Sequence, residues 1–174
     1  MSGTITDIGK AAMAKAISER TLHYAWGTGE EEWDSDPNSK PFWKQRIALV
    51  NEVGRRTVTR VGFVLPDPDG DILVPTVQKD GTVQVVPYKM SEPGPTPYLY
   101  LQVNFGFEDA ANLTIREVGI FMDTVTKEGL PPGQRYFTPG EIEAPGLLLA
   151  AECLDMGMNR LPSTQPVFGF ILPF

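Results

Sequence analysis

Turn-forming residues are unusually dense along this chain, and they limit the folds that it can adopt. Glycine and proline account for 17 and 16 of the 174 residues, well above the average of about 12% for the two together. Proline lacks a backbone N–H and breaks helices, while glycine marks tight turns. A bundle of long helices is therefore excluded, and the sequence predicts short strands joined by many turns.

The net charge of the chain excludes some classes of binding partner. The chain has 15 Lys and Arg residues against 22 Asp and Glu, which gives a net charge of −7. Nucleic acids and anionic membranes are both bound through basic surfaces, so we expect neither as a partner. The hydrophobic share of 41% is sufficient for a packed core in a domain of this size.

Cysteine content and the lack of a targeting segment indicate that the protein folds in a cytoplasm. Cys153 is the only cysteine, so no disulfide within the chain holds the fold together. The sequence does not start with a basic stretch followed by an apolar run, and no apolar stretch approaches the ~20 residues of a membrane helix. We expect a protein that folds in the cytoplasm and stays soluble there.

One helix is predicted at the N-terminus. Thr4 and Asp7 have the spacing of a weak capping box, and strong helix formers continue to Arg20, where a two-residue period begins. Apolar positions in between recur at helical spacing: Ile8, Ala12, Ala16 and Ile17.

The strongest strand prediction is Tyr98 to Phe107, in which apolar and polar residues alternate. After a turn at residues 108–112, Thr114 to Met122 is predicted to be its hairpin partner. The fold class that follows is mainly β (α+β), with the N-terminal helix packed on a twisted antiparallel sheet or sandwich.

The last third of the chain differs in character from the rest. We predict a β-rich domain with the N-terminal helix over residues 1–122, and a Pro/Gly-rich extension over residues 123–174 that ends in an apolar arm. The arm is expected to pack on the domain or on a neighbouring subunit. Phe168, Phe170 and Phe174 are its candidate contact residues.

Patterns that would bind metals or phosphates are incomplete. Asp67, Asp69 and Asp71 have the spacing that opens a calcium loop, but Ile72 stands where that loop needs glycine. An acidic turn is the better interpretation. The glycine pair at residues 27–29 follows a predicted strand but lacks the helix start and lysine of a phosphate-binding loop. We expect no metal and no cofactor.

Candidate catalytic groups also lack support. His23 and Cys153 are the only residues of their types, and nothing near either one favours a nucleophilic dyad. A carboxylate pair such as Glu52 and Glu117 serves a glycosidase only at separations of ~5–10 Å, which the sequence does not establish. We therefore expect no catalytic residues and no enzyme.

Arg116 and Glu117 are charged residues inside an otherwise apolar strand. Such residues either face water or find partners, because an unpaired buried charge is strongly unfavourable. Glu117 is predicted to accept hydrogen bonds from the backbone or from an arginine and so to fix the predicted hairpin. A role in a subunit contact remains open beside this structural one.

Four motifs follow one another in the first 122 residues, namely Ile5–Ala12, Trp26–Gly29, Leu49–Arg55 and Ile115–Phe121. In this order they resemble the baseplate-attaching N-terminal region of bacteriophage tail-collar fibre proteins, found on contractile tails. The fourth is the most specific, since it is similar to the I-R-E-x-G-L-F strand of that family.

The resemblance implies a virion structural protein of the phage tail, assembled in the host cytoplasm as part of a symmetric homo-oligomeric assembly. Other baseplate and tail-fibre subunits are the implied partners. Because no long repetitive shaft follows the motifs, the resemblance favours a baseplate or fibre-attachment adaptor. The implied contact or fold-defining residues are Trp26, Glu52, Arg55, Arg116, Glu117, Gly119 and Phe121.

Two other functions remain open at this point. A carbohydrate-binding β-domain would stack sugars on Trp26, Trp33, Trp43 and the face that carries Tyr98 and Tyr100. A tail-associated cell-wall hydrolase would need an acidic pair in a cleft.

Overall fold

A computed structural model describes residues 3–41, 43–77 and 83–174. Within them the chain has one α-helix, short 3-10 turns and strands in antiparallel sheets, so the predicted β-rich class is confirmed. The helix is α1 (Asp7–Ser18), and the strands are β1 (Leu22–Gly27), β2 (Glu52–Thr57), β3 (Arg60–Pro66), β4 (Ile72–Val77), β5 (Val83–Met90), β6 (Tyr98–Asn104), β7 (Thr114–Met122), β8 (Val125–Thr126), β9 (Tyr136–Phe137), β10 (Ile142–Ala144), β11 (Leu147–Asn159) and β12 (Val167–Pro173).

The chain folds into two compact units. Unit 1 is made from the described residues within Met1–Glu19, Thr59–Gln102 and Phe168–Phe174, and unit 2 from those within Arg20–Val58 and Val103–Val167. Each unit is therefore assembled from segments that are distant in the sequence.

Unit 1 contains a five-stranded sheet in the order β12-β6-β3-β5-β4. Its core gathers Val64, Tyr88 and Tyr100, all buried, with partly buried apolar side chains around them. The strand predicted over Tyr98 to Phe107 ends at Asn104. Leu99 and Leu101 on its apolar face are buried, but Tyr100 on the opposite face is buried as well.

Helix α1 also belongs to unit 1, but its cap and its buried face differ from the prediction. The N-cap is Thr6, whose Oγ1 accepts a hydrogen bond from the N–H of Gly9 at 3.2 Å. Ala14 is fully buried, whereas Ile8, on the predicted apolar face, is 85% exposed. Alanines lie on both the exposed and the buried side of this helix, so the apolar period was too weak to select the correct face.

Unit 2 contains a five-stranded sheet in the order β11-β7-β1-β2-β9 and a two-stranded pair, β10-β8. One cluster in its core joins Ala25, Leu49 and Phe121. Strands β1 and β7 are the inner strands of the larger sheet, and both have long runs of buried residues. The sheet therefore places these two strands at the centre of the unit.

The predicted hairpin of β6 with β7 is wrong. Strand β6 pairs with β3 and lies beside β12, while β7 pairs with β1 and β11 in the other sheet. Both strands are buried and need a partner on each side, and these partners come from distant parts of the chain. Sequence adjacency alone did not reveal this.

The C-terminal residues contribute to both sheets. Strand β11 pairs with β7 along much of its length, and β12 lies next to β6. The division at residue 122 stays a prediction, as does any packing of the arm on a neighbouring subunit.

The acidic stretch at residues 30–41 lies between β1 and β2. It forms 3-10 turns at Glu31–Asp34 and Pro37–Ser39, and Trp33 in the first turn is buried.

No helix among the described residues has the length and apolar character needed to cross a membrane.

Candidate subunit-contact site

Three of the four motif segments meet around Glu117 in unit 2. In the pairing of β1 with β7, Gly27 lies opposite Glu117. A Cβ atom at Gly27 would collide with Oε1 of Glu117 and would lie 2.5 Å from the carbonyl oxygen of Asn51. Glycine is therefore required for space here, because it lets the carboxylate of β7 reach the segment that precedes β2.

The Glu117 carboxylate holds that segment by its backbone. Its Oε2 accepts a hydrogen bond from the N–H of Val50 at 2.9 Å, and its Oε1 accepts one from the N–H of Asn51 at 2.7 Å. Burial raises the pKa of Glu117, and the backbone donors of Asn51, Val50 and Gly29 oppose that shift. The predicted role as a backbone acceptor is confirmed, although the bonds anchor residues 50–51 and not a β6–β7 hairpin.

Asn51 and the glycine turn complete this arrangement. The N–H of Thr28 donates to the carbonyl oxygen of Asn51 at 3.0 Å, and Nδ2 of Asn51 donates to the carbonyl oxygen of Gly29 at 2.9 Å. We call the three segments together the motif junction: residues 27–29, 49–55 and 116–121.

Arg116 ties the motif junction to the acidic turn. Its Nε lies 3.0 Å from both carboxylate oxygens of Asp34, and its Nη1 donates to the carbonyl oxygen of Thr28 at 3.2 Å. The hydrogen bond from Arg116 lowers the pKa of Asp34. This predicted site residue thus has its partners within unit 2.

Arg55 and Glu52 form a second polar centre. The guanidinium of Arg55 donates to both carboxylate oxygens of Glu52 at 2.7 Å. Its Nη1 donates to Oγ1 of Thr124 and to the carbonyl oxygen of Pro145, both at 2.7 Å. The same group lies 3.8 Å from the ring centroid of Phe121, so Arg55 is paired, hydrogen-bonded and stacked although it is almost fully buried.

Gly119 and Trp26 lie in the apolar interior of unit 2. A Cβ atom at Gly119 would meet side-chain carbons of Leu148 and Leu49 at 3.0 Å. The ring of Trp26 is fully buried and stacks on Phe105 with 3.5 Å between centroids. The contacts named here join residues of the same chain.

The three C-terminal aromatic residues are half-buried. Phe168 and Phe170 lie in β12 of unit 1. The N–H of Phe174 donates to the carbonyl oxygen of Pro97 at 3.0 Å, which fixes the end of the chain to the residue before β6. A subunit contact through these three side chains stays a prediction.

Arg160 is a buried residue that the sequence analysis missed. Its guanidinium donates to the carbonyl oxygens of a loop between β6 and β7 and of its own turn: Gly106 at 2.9 Å, Thr164 at 3.1 Å, Phe107 and Asp109 at 3.3 Å, and Leu161 at 3.4 Å. It also lies 5.3 Å from the ring centroid of Trp26. A lone arginine beside a Leu-Pro turn gives no local pattern that predicts such a role.

The loops that Arg160 holds carry exposed apolar side chains. Phe107 is 47% exposed, Leu113 38% and Leu161 54%. The backbone of Leu113 is paired with Arg160 itself, whose N–H donates to the carbonyl oxygen of Leu113 at 2.8 Å. We call Phe107, Leu113 and Leu161 the apolar tip. Glu108 beside them is exposed.

A groove lies elsewhere on unit 2, along the start of β11. It encloses about 300 Å³ and is lined by Lys44, Arg46 and residues 148–151. Those four residues are Leu-Leu-Ala-Ala, and the two cations complete a lining in which polar and apolar atoms are about equally represented. We call this the cationic groove.

His23 is buried in β1 against the ring of Phe137, with 5.8 Å between centroids. Its Nε2 lies 3.3 Å from Oγ1 of Thr57, and its Nδ1 has no hydrogen-bond partner among the described residues. Burial, with a smaller contribution from the charge of Arg55, lowers the pKa of His23 to about 4. The imidazole is therefore neutral at pH 7.

Several of the residues named for the two alternative functions are buried. Trp26, Trp33 and Tyr100 are buried, so they do not form a sugar-stacking surface; the side chain of Trp43 lies outside the described part of the structure. Among acidic candidates, Glu117 is fully buried, and the described residues contain no group of three or more His, Cys, Asp or Glu placed to hold a metal ion.

A comparison with protein families decides what kind of chain this is. A family model described as "Baseplate wedge 3 tail fiber network component" matches residues 2–174. The chain belongs to this family. It is therefore a structural component of a bacteriophage tail baseplate. No curated protein matches the chain.

The match to the baseplate wedge family reaches further than the resemblance in the sequence. The four motifs end at Phe121, whereas the family model continues through residues 123–174, which supply β11 and β12 to the two sheets. In this baseplate wedge component the C-terminal third is thus part of the family's common region.

Three of the motifs that carry the resemblance are the ones that form the motif junction. The glycine turn, the Leu-Val-Asn-Glu segment and the Arg-Glu strand are linked through Glu117 and Asn51. The motif residues of the baseplate wedge component are therefore hydrogen-bonded to one another in unit 2.

Proposed function

We propose that this baseplate wedge component is a non-enzymatic adaptor that joins baseplate subunits to the tail-fibre network through direct subunit contacts. It does so as several copies within a symmetric assembly, and it is built into the tail in the host cytoplasm. The single observation that carries the proposal is the amount of large apolar side chain left exposed on both units.

Unit 2 leaves such side chains exposed outside its core. Ile47 is 83% exposed and Leu147 is 60% exposed, and the apolar tip adds three more. Large exposed apolar patches mark protein interaction sites in soluble proteins, since they are otherwise an aggregation hazard. Covering by neighbouring subunits accounts for them.

Unit 1 has the same property on its helix and on its sheet. Exposed apolar residues of its N-terminal segment are Ile5, Ile8 and Met13, and those of its strands include Leu65, Leu73 and Val85. Leu65 is paired with Lys89 of β5, and Leu73 is paired with Pro87 of the same strand. Pro87 and Lys89 are two residues apart and share a face, so Leu65 and Leu73 lie on that face of the sheet too.

The buried charged groups support a structural role. Glu117, Arg55 and Arg160 each bind backbone atoms of their own unit. A catalytic side chain needs access to a substrate, whereas these three buried side chains bind backbone atoms and hold loops in place. Rigid loops of this kind suit a part that transmits contacts between subunits.

The experiment is quantitative peptide mass spectrometry on gradient-purified phage particles, counted against a tail protein of known copy number. The proposal expects this chain in the particle at a copy number set by the rotational symmetry of the tail. Absence from the particle would overturn it.

A second arm tests the contact surfaces. Ile8→Asp and Leu73→Asp, supplied in place of the wild-type chain, are expected to lower incorporation while the purified variants keep the wild-type melting temperature. Lys15→Asp, on an exposed position of the same helix, is the matched control. Wild-type incorporation of both apolar variants contradicts contacts through these surfaces. Clearing of peptidoglycan by the purified chain contradicts the non-enzymatic assignment.

A further inference from the structure

The apolar tip and the cationic groove differ in shape and charge in complementary ways. The tip exposes apolar side chains on two loops, and Glu108 beside it is an exposed carboxylate with no ion pair among the described residues. The groove is a concave surface formed by residues 148–151 and bordered by Lys44 and Arg46. Both belong to unit 2, so both are parts of one compact body.

We infer that these surfaces are the two halves of a head-to-tail contact between copies of this chain, with the apolar tip of one copy seated in the cationic groove of the next. The inference deepens the proposed function and rests on it, since it names one of the subunit contacts through which the component acts.

The size of the groove fits one anchoring side chain. Its volume of about 300 Å³ equals about ten water molecules at ~30 Å³ each, which is room for the ring of Phe107 or the side chain of Leu161. Interfaces of this kind take most of their binding energy from a few buried apolar or aromatic anchors. The tip supplies such anchors.

Buried bonds hold the tip in one shape. The guanidinium of Arg160 binds the carbonyl oxygens of Phe107 and Leu161 directly, and Arg160 also pairs with Leu113 through the backbone. In addition, Asp109 accepts hydrogen bonds from Arg56 at 2.5 Å and from the N–H of Gly106 at 2.6 Å. A preorganised loop loses little conformational entropy when it binds.

Charge selects the partner. The chain carries a net charge of −7, so random contacts between copies are repulsive. A contact between copies therefore needs a local pair of opposite charges, and Glu108 facing Arg46 supplies it. Neither side chain has an ion pair among the described residues.

Such a contact uses a different patch on each copy. It is therefore heterologous, and it closes into a ring or continues as a chain of copies. A two-fold symmetric dimer is not what it predicts.

The test is a charge exchange in the purified full-length chain, followed by sedimentation equilibrium. Glu108→Lys and Arg46→Glu are each expected to weaken self-association at least about tenfold, which corresponds to about 1.4 kcal/mol. The double variant is expected to return to within a few-fold of wild type. Glu143→Lys and Arg135→Glu, which change exposed charges elsewhere on unit 2, are the matched controls.

Cysteine cross-linking provides an independent measurement of geometry. In a Cys153→Ala background, one variant carries Glu108→Cys and another carries Arg46→Cys. The inference expects a cross-link when the two variants are mixed, and none when either is treated alone. Cross-links within a single variant indicate a two-fold contact and overturn it.

The remaining outcomes separate this inference from the proposed function. A wild-type chain that stays monomeric at its solubility limit overturns the inference. If Arg46→Glu then still lowers incorporation into particles, the groove binds a different subunit and the adaptor function stands. A chain that self-associates as described but is absent from particles contradicts the proposed function and leaves the contact supported.

Discussion

The carboxylate of Glu117 accepts a hydrogen bond from the backbone N–H of Asn51 at 2.7 Å, although the side chain lies in the middle of an apolar strand and is fully buried. A second backbone donor, the N–H of Val50, binds its other oxygen at 2.9 Å. Charge-assisted hydrogen bonds of this kind are about twice as strong as neutral ones. They connect the centre of the sheet to the segment that enters β2.

Replacing this carboxylate with an amide should destabilise the fold. Glu117→Gln leaves one acceptor for two N–H donors and turns an NH₂ group towards one of them, so we expect a loss of about 2–4 kcal/mol in the free energy of unfolding. Urea denaturation monitored by tryptophan fluorescence measures it. Glu143→Gln, on an exposed side chain, should change the stability by less than about 0.5 kcal/mol. Equal effects of the two substitutions would show that the buried bonds contribute nothing.

The lack of room for a side chain at Gly27 leads to a second prediction. Gly27→Ala places a methyl group against Oε1 of Glu117 and the carbonyl oxygen of Asn51, so the carboxylate or the backbone must shift. We expect a loss of about 2 kcal/mol or more in the free energy of unfolding. Gly140→Ala is the control, because nothing lies within 4 Å of the Cβ position there. A Gly27→Ala variant as stable as this control contradicts the geometry of the motif junction.

Arg160 should tolerate even a conservative change poorly. Arg160→Lys keeps the charge, but an ammonium group does not reproduce the fork that binds carbonyl oxygens on two sides. We expect a loss of about 2–4 kcal/mol in the free energy of unfolding, together with faster hydrogen exchange at the amides of residues 106–113. Arg135→Lys, on an exposed arginine, supplies the baseline. Unchanged exchange in that loop would contradict the role of Arg160 in holding the apolar tip.

Local features of the fold were predictable from the sequence. The helix, the strand Thr114–Met122 and the acidic turn at Asp67 all occur where the patterns indicated, because hydrophobic period and turn chemistry are properties of neighbouring residues. In that turn, the N–H of Gly70 donates to the carbonyl oxygen of Asp67 at 2.9 Å.

Partners distant in sequence were not predictable in this way. The pairing of β6 with β3, and of β7 with β1, depends on which strands need a covered edge in the folded chain, and no local pattern records that. Arg160 is a similar case, since three of its acceptors, the carbonyl oxygens of Gly106, Phe107 and Asp109, lie more than fifty residues away. Glu117 was easier to single out because a charge inside an apolar strand requires a partner.

The last prediction concerns the stability of the fold at acidic pH. Because the pKa of His23 is lowered to about 4 from 6.5, the unfolded chain binds more protons than the folded one between these values. The contribution of His23 to stability is thus complete above about pH 6.5 and falls as the pH drops towards 4. The difference of about 2.5 pKa units corresponds to a loss of about 3 kcal/mol.

His23→Gln removes this titration. The free energy of unfolding, measured by urea at a series of pH values from neutral to acidic, should fall less steeply in the variant than in the wild type. Glu117 and Glu152, whose pKa values are raised by burial, act in the opposite direction in both proteins, so they cancel in the comparison. Thr57→Val removes the contact to Nε2 but keeps the imidazole, and it should therefore keep the wild-type slope. Identical slopes in wild type and His23→Gln would mean that this histidine is not the group whose protonation destabilises the fold.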